Sequence, residues 1–247
     1  MKSLMKLTWM EARLFLREPA SAFFSLIFPL IYLIMYGLIS GNEPTPMYGG
    51  QRTIEAAIPA LTAVIISMTG LMSTTITLTT YREKGILRRL RTTPVSPLVV
   101  LAAQVIVVFT MTALGMLLLV AAGRLIYNVR FEGNLLSLVA GFVLSSLSFF
   151  SLGFILAGCM STVRSAWAVA MVLLYPMLFL SGAFFSVELL PKAVQKVAAF
   201  IPLTYVVNLL HGLWNGEAWG SHLLDVGVLA GLLVVGVIVS AKIFRWE

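Results

Sequence analysis

Acid–base and metal chemistry have few carriers in these 247 residues: ten Asp and Glu, two His and a single Cys. His211 stands apart, whereas His222 and Asp225 are spaced i, i+3 and would meet on one helix face. With Glu188 and Glu217 they are the side chains that a converging acid–base or metal centre could draw on. A metal or pH-sensitive site and plain interfacial hydrogen bonding both fit them, and hydrogen bonding is preferred. The lone Cys159 excludes an internal disulfide and a cysteine-rich metal site. Neither a GxxxxGK phosphate loop nor an HExxH zinc motif occurs. The expectation is therefore no catalytic residue, no metal and no cofactor on this chain. If it moves anything uphill, the energy must come from another polypeptide.

Hydroxyls and cations are more concentrated. Thr62, Ser67, Thr69, Ser73, Thr74, Thr75, Thr77, Thr79 and Thr80 crowd a single apolar run. Such side chains either bond to their own helix backbone and allow close helix packing, or line a polar path. Packing is preferred, and Thr69, Ser73 and Thr77 are the path candidates. Directly after them, segment 82–94 sets Arg82, Lys84, Arg88, Arg89 and Arg91 around Ile86, Leu87 and Leu90, which form one apolar edge of a short helix between Gly85 and Pro94. A solvated charge run has no need of such an edge. Docking of a cytoplasmic protein is the sharper reading, and simple topogenic charge the other.

At the N-terminus, Lys2, Lys6, Arg13 and Arg17 fall within about 60° of one another on a helical projection. Leu4, Leu7, Met10, Leu14 and Phe15 lie on another side, so 1–18 reads as an interfacial helix with its cations toward anionic lipid. Glu11 and Glu18 share the apolar side, which points to a protein partner there.

The elements that must position these groups follow from composition. Hydrophobic residues make up 60% of the chain and charged residues 11%, against about 25% charged in soluble domains. A water-soluble fold is excluded, and with basic residues so few and scattered a nucleic-acid surface is excluded too. Uncharged runs at 19–42, 56–81, 92–123, 133–163, 165–187 and 226–241 supply six spans, each expected to be an α-helix because the bilayer leaves no water for an open backbone. The first is expected to be retained, not cleaved as a signal peptide. A further run, 197–216, carries Pro202, Asn208, His211 and Asn215 and is set aside as non-spanning. The segment 188–216 then becomes an outer re-entrant hairpin interrupted by Pro191 and Pro202.

With six spans and both termini cytoplasmic, twelve Lys and Arg lie inside and five outside; a seventh span would make the division ten to seven. Because basic residues are retained on the cytoplasmic side, six spans are favoured. The expected class is all-α, a polytopic protein of the plasma (inner) membrane with a single domain over 1–247.

Three stretches resemble the permease subunits of type-2 ABC exporters, in particular compact drug-export permeases of the daunorubicin type. They are Leu14-Phe15-Leu16-Arg17-Glu18-Pro19 with Phe28-Pro29; Arg82-Glu83-Lys84-Gly85-Ile86-Leu87-Arg88-Arg89-Leu90-Arg91-Thr92-Thr93-Pro94; and Phe179-Leu180-Ser181-Gly182-Ala183-Phe184-Phe185 with Glu188-Leu189-Leu190-Pro191 and Pro202-Leu203-Thr204-Tyr205. Ile86 stands where the family commonly has Thr, Ser186 where Pro is usual, and Asn208 and His211 where Asp and Arg are frequent.

The resemblance implies a second permease copy or paralogue and two separate ABC ATPase subunits that bind ATP and Mg. It implies a coupling helix in which Leu87, Arg88, Arg89, Leu90, Thr93 and Pro94 meet the ATPase while Glu83 and Gly85 shape its start. It also implies a pathway or gate that includes Phe184, Phe185, Pro191, Pro202 and Tyr205. The expected cargo is an amphipathic or lipophilic small molecule, because an uncharged bundle cannot cheaply hold a bare ion. The alternatives are a lipid-linked polysaccharide or glycolipid as cargo, or a scaffold or lipid-modifying enzyme in place of a transporter.

Overall fold

A computed structural model describes residues 2–41, 43, 52–86, 97–184, 187 and 190–243. The amphipathic N-terminal segment forms α1 (Lys2–Arg17). Helix α2 runs over 19–40, with a π-helical turn at Phe23–Ile27 between Pro19–Ala22 and Phe28–Ser40. Next come α3 (Thr53–Glu83), with a π turn at Met68–Ser73, then α4 (Pro97–Tyr127), α5 (Leu135–Cys159) and α6 (Val163–Leu180). Two short helices, α7 (Lys192–Ala198) and α8 (Pro202–Trp214), meet at 89°. A 3-10 turn, Trp219–His222, leads into α9 (Leu223–Ile243).

The six expected spans are the six long helical stretches α2–α6 and α9. Five are long and apolar enough to cross a membrane as single helices; α2 is interrupted, with Phe23–Ile39 as its apolar part. The run 197–216 is not one straight helix: it begins in the last turn of α7 and bends 89° before Pro202 opens α8. Pro202 is the first residue of α8, where its missing N–H costs no hydrogen bond. The irregular corner is satisfied internally: Thr204 Oγ1 donates to the Ala198 carbonyl at 2.8 Å, and the Tyr205 hydroxyl donates to Ala199 O. Those bonds supply partners that a bilayer would withhold.

Helix α3 is the centre of the bundle, 83% buried across its apolar window against 17% for α9. Several of its hydroxyls bond to their own helix backbone. Thr62 donates to Ile58 O, Ser67 to Val64 O and Thr80 to Ile76 O, all along the same helix. Two reach further: Thr69 and Thr112 of α4 share a hydrogen bond of 2.8 Å, and Thr75 bonds both Leu71 O and the Gly153 carbonyl of α5. Around them Ile58, Ile65, Phe149, Leu174 and Leu210 form one apolar core drawn from α3, α5, α6 and α8.

Candidate functional site

Most candidate residues gather at the two ends of the bundle. At the first, α1 lies against α4, with Phe15 packed on Val107 and Met111. Glu11, on the same side, is buried and accepts a hydrogen bond from the Tyr81 hydroxyl of α3. The partner inferred for this acidic flaw in the apolar face is therefore another helix of the same chain. The expected apolar side also divides: Phe15 is buried, whereas Met10 and Leu14 are exposed, as are Met5, Trp9 and Leu16 on the other flank of the basic stripe. Lys6, Arg13 and Arg17 project outward between these flanks, and Arg13 lies 5.0 Å over the Trp9 ring. Lys2 begins the helix, its side chain outside the described set.

Burial pushes the Glu11 carboxyl above its ordinary value, and the Tyr81 hydrogen bond opposes this in part. A carboxyl raised on folding stabilises the folded state most below its ordinary value of 4.5; that contribution is lost as pH rises through the raised value. Glu11→Gln, which keeps an acceptor for Tyr81 without the charge, is expected to flatten this dependence. Thermal unfolding in detergent at pH 5 and pH 8 should separate the two proteins, with wild type losing stability toward pH 8 and the variant not doing so.

Glu83 and Gly85, expected to shape the start of the next helix, also form the end of α3, and the residue after Gly85 is again helical. Glu83 is the last residue of α3, and Gly85 turns the chain at φ +66°, a left-handed conformation that only glycine adopts freely. The Glu83 carboxylate accepts from Val163 N at 2.6 Å, in the first turn of α6, beside the Thr162–Ser165 capping box. Arg82 donates to Gly158 O at 3.3 Å. Segment 82–83 is thus clamped to the α5–α6 turn. Residues Leu87, Arg88, Arg89, Leu90, Thr93 and Pro94 lie outside the described residues. Removing the carboxylate in Glu83→Ala forfeits a charge-assisted cap and is expected to cost about 1 kcal/mol, read as a lowered unfolding midpoint that Glu83→Asp partly restores.

The gate and path candidates fall in two places. Thr69 and Ser73 are buried along α3, while Thr77 is half-buried. Ser73 Oγ has no hydrogen-bond partner among the described residues and borders a small gap shared with Phe24 and Trp167. At the opposite end from α1, Phe184 packs on Tyr32 at 5.2 Å, Pro191 precedes α7, and Pro202 and Tyr205 make the α7–α8 corner. Phe185 lies outside the described residues.

That end also holds a polar group that spacing revealed in part. His222 Nδ1 is 2.9 Å from Asp225 Oδ2, the contact expected from the i, i+3 spacing, and its Nε2 is 3.0 Å from Glu217 Oε2. No local periodicity links Glu217 to His222, because a loop and a 3-10 turn bring them together. Gly212 of α8 makes room for the ring: a Cβ there would lie 2.0 Å from His222 Nε2. The three side chains are hydrogen-bonded to one another through His222. Among the described residues no group of three or more potential ligands could hold a metal ion.

Apolar helices that pass through a bundle core several times, joined by polar turns at its two ends, define a multi-pass membrane protein. The chain belongs to the ABC-2 type transporter family, whose model matches residues 2–213. Nodulation protein J of Rhizobium leguminosarum bv. viciae is 34% identical over 41% of this chain and 39% of its own length. The daunorubicin resistance ABC transporter permease protein DrrB1 of Streptomyces coeruleorubidus is 24% identical over 96% of this chain and 84% of its own. The putative transport permease ycf38 of Porphyra purpurea is 24% identical over 94% and 81%. Membership of this family implies ABC ATPase subunits as partners.

Proposed function

We propose that this chain is the membrane-spanning subunit of an ATP-driven exporter, working in the plasma (inner) membrane with both termini cytoplasmic. A second permease, identical or paralogous, would complete the path, and two ATPase subunits holding ATP and Mg would supply the energy. The carrying observation is the distribution of charge. Nine of the twelve cations assigned to the inner side belong to 1–18 and 82–94, and α1 and the end of α3 lie at one end of the bundle with the α5–α6 turn. ATP-driven closure of the ATPases would push on both segments, and the Glu83–Val163 hydrogen bond would carry the displacement into α6 as a rigid-body step.

The cargo in this reading is an amphipathic or lipophilic small molecule. The apolar core and its uncharged hydroxyls support it, since neither supplies the compensating charges that a bare ion demands. Reconstituting the permease with its ATPase and measuring ATP hydrolysis decides the matter. Stimulation by amphipathic drugs is expected, and stimulation by lipid-linked polysaccharide alone would replace the drug assignment with the glycolipid one. Activity insensitive to both would overturn the export reading.

A further inference from the structure

At the end of the bundle opposite α1, a cavity of about 570 Å³ opens between α2, α3, α8 and the start of α9, a volume within the roughly 300–1,000 Å³ range of small-molecule sites. Its walls differ in chemistry. One side is aromatic: Tyr32 and Tyr36 stack with centroids 5.8 Å apart, and Phe184 leans on Tyr32. The floor is Ala56, Ala57 and Ala60 of α3, whose short side chains leave the space open. The far side carries Glu217, His222 and Asp225, with Asn208 and His211 of α8 next to them.

The charge on that far side does not balance. Each ring nitrogen of His222 faces a carboxylate oxygen, so two carboxylates share a single imidazole. One imidazole can offset at most one of the two carboxylates. His211 supplies little to cancel the other: Asn215 Nδ2 lies 3.2 Å from its Nδ1, and burial pushes the ring's pKa below its ordinary value. Among the described lining residues there is no Lys or Arg. Asp225 and His222 are almost fully buried, and Glu217 is half-exposed with one carboxylate oxygen not engaged by His222. An uncompensated charge in a partly desolvated cavity favours a cationic occupant, and π faces on the opposite wall attract the same kind of ligand.

We propose that this cavity binds an organic ammonium cation with a flat apolar body, its charge beside Glu217 and Asp225 and its body against Tyr32, Tyr36 and Phe184. The proposal deepens the export reading and rests on it for the fate of the cation, though not for its binding. It places the site within one permease, away from the α1 end where the ATPase would dock.

The test uses the full chain purified in detergent without ATPase, with ethidium as a flat cationic probe and fluorescein as an anionic one. Ethidium is expected to bind saturably, fluorescein not to compete, and Glu217→Gln to weaken ethidium by about tenfold or more, as for a lost hydrogen bond to a charged group. Glu217 sits in a half-exposed loop, so this variant leaves the core untouched. Tyr32→Leu tests the other wall independently and is expected to weaken binding several-fold, about what one cation–π contact supplies. Added phosphatidylethanolamine separates a lipid headgroup from a flat soluble amphipath: no competition is expected, and full competition would overturn the flat-bodied ligand. Wild-type affinity in both variants, or equal binding of fluorescein, overturns the site. ATPase co-purification is measured on the same variants, so loss of the cavity's ligand is distinguishable from loss of the exporter assembly.

Discussion

Replacing Leu87 and Leu90 by aspartate is expected to abolish co-purification of the ATPase while leaving membrane insertion intact. In the proposed coupling helix the two leucines, with Ile86, would form an apolar edge, and the cations beside them in sequence would suit an acidic or polar rim on the partner. A carboxylate forced into a dry contact leaves a buried charge without a partner, which costs about 3–5 kcal/mol, enough to weaken binding by a factor of several hundred or more. Arg88→Ala and Arg89→Ala should act differently. Rim charges steer encounter, so these variants should slow association and reduce its salt dependence more than they shorten the life of the complex. Since 82–94 lies between spans, insertion and the fold of the six long helices should be unaffected, as circular dichroism of the purified variant would check. ATPase binding retained by the double aspartate variant would remove the docking assignment.

The second large effect concerns the bundle core. Gly153→Val should destabilise the protein more than a typical core substitution, because α3 and α5 touch there through their backbones. A Cβ at residue 153 would lie 2.1 Å from the Gly70 carbonyl oxygen and 3.0 Å from Thr74 Cβ, and one at Gly70 would lie 2.7 Å from Phe149 Cβ. None of these neighbours is a flexible side-chain end. The helices must separate, which breaks the Thr75–Gly153 hydrogen bond and loosens the packing of Phe149. Overpacking alone costs about 1–3 kcal/mol, and the lost bond adds about 1 kcal/mol. Gly231→Val on α9 is the control: nothing lies within 4 Å of a Cβ there, so its effect should stay within about 0.5 kcal/mol. Thermal unfolding of both variants in the same detergent measures the contrast.

Much of the fold could be read along the chain because a bilayer restricts what an apolar run can do. The long uncharged runs appear as helices, and the run expected not to span is bent at Pro202. Boundaries moved by a few residues where apolar side chains continue past a charge, as at the two ends of α9, where Leu223 and Ile243 extend the helix beyond Asp225 and Lys242. The i, i+3 contact of His222 with Asp225 was visible for the same reason, being a property of one helical turn.

Contacts between distant parts of the chain were not visible in this way. That the hydroxylated run is the central helix depends on how the other helices surround it, and no property of the run distinguishes a buried hydroxyl face from a path lining. The Glu83 cap on Val163 spans 80 residues and the Glu11–Tyr81 bond 70; neither has a periodic signature. Glu217 joins His222 through a loop, and the aromatic wall opposite comes from α2, almost two hundred residues earlier. Local helical geometry and the demands of lipid act on consecutive residues, so spans, ends and charge asymmetry are written in the order of amino acids. Which charges end up sharing a cavity depends on packing among helices far apart in that order, and only the folded bundle brings them together.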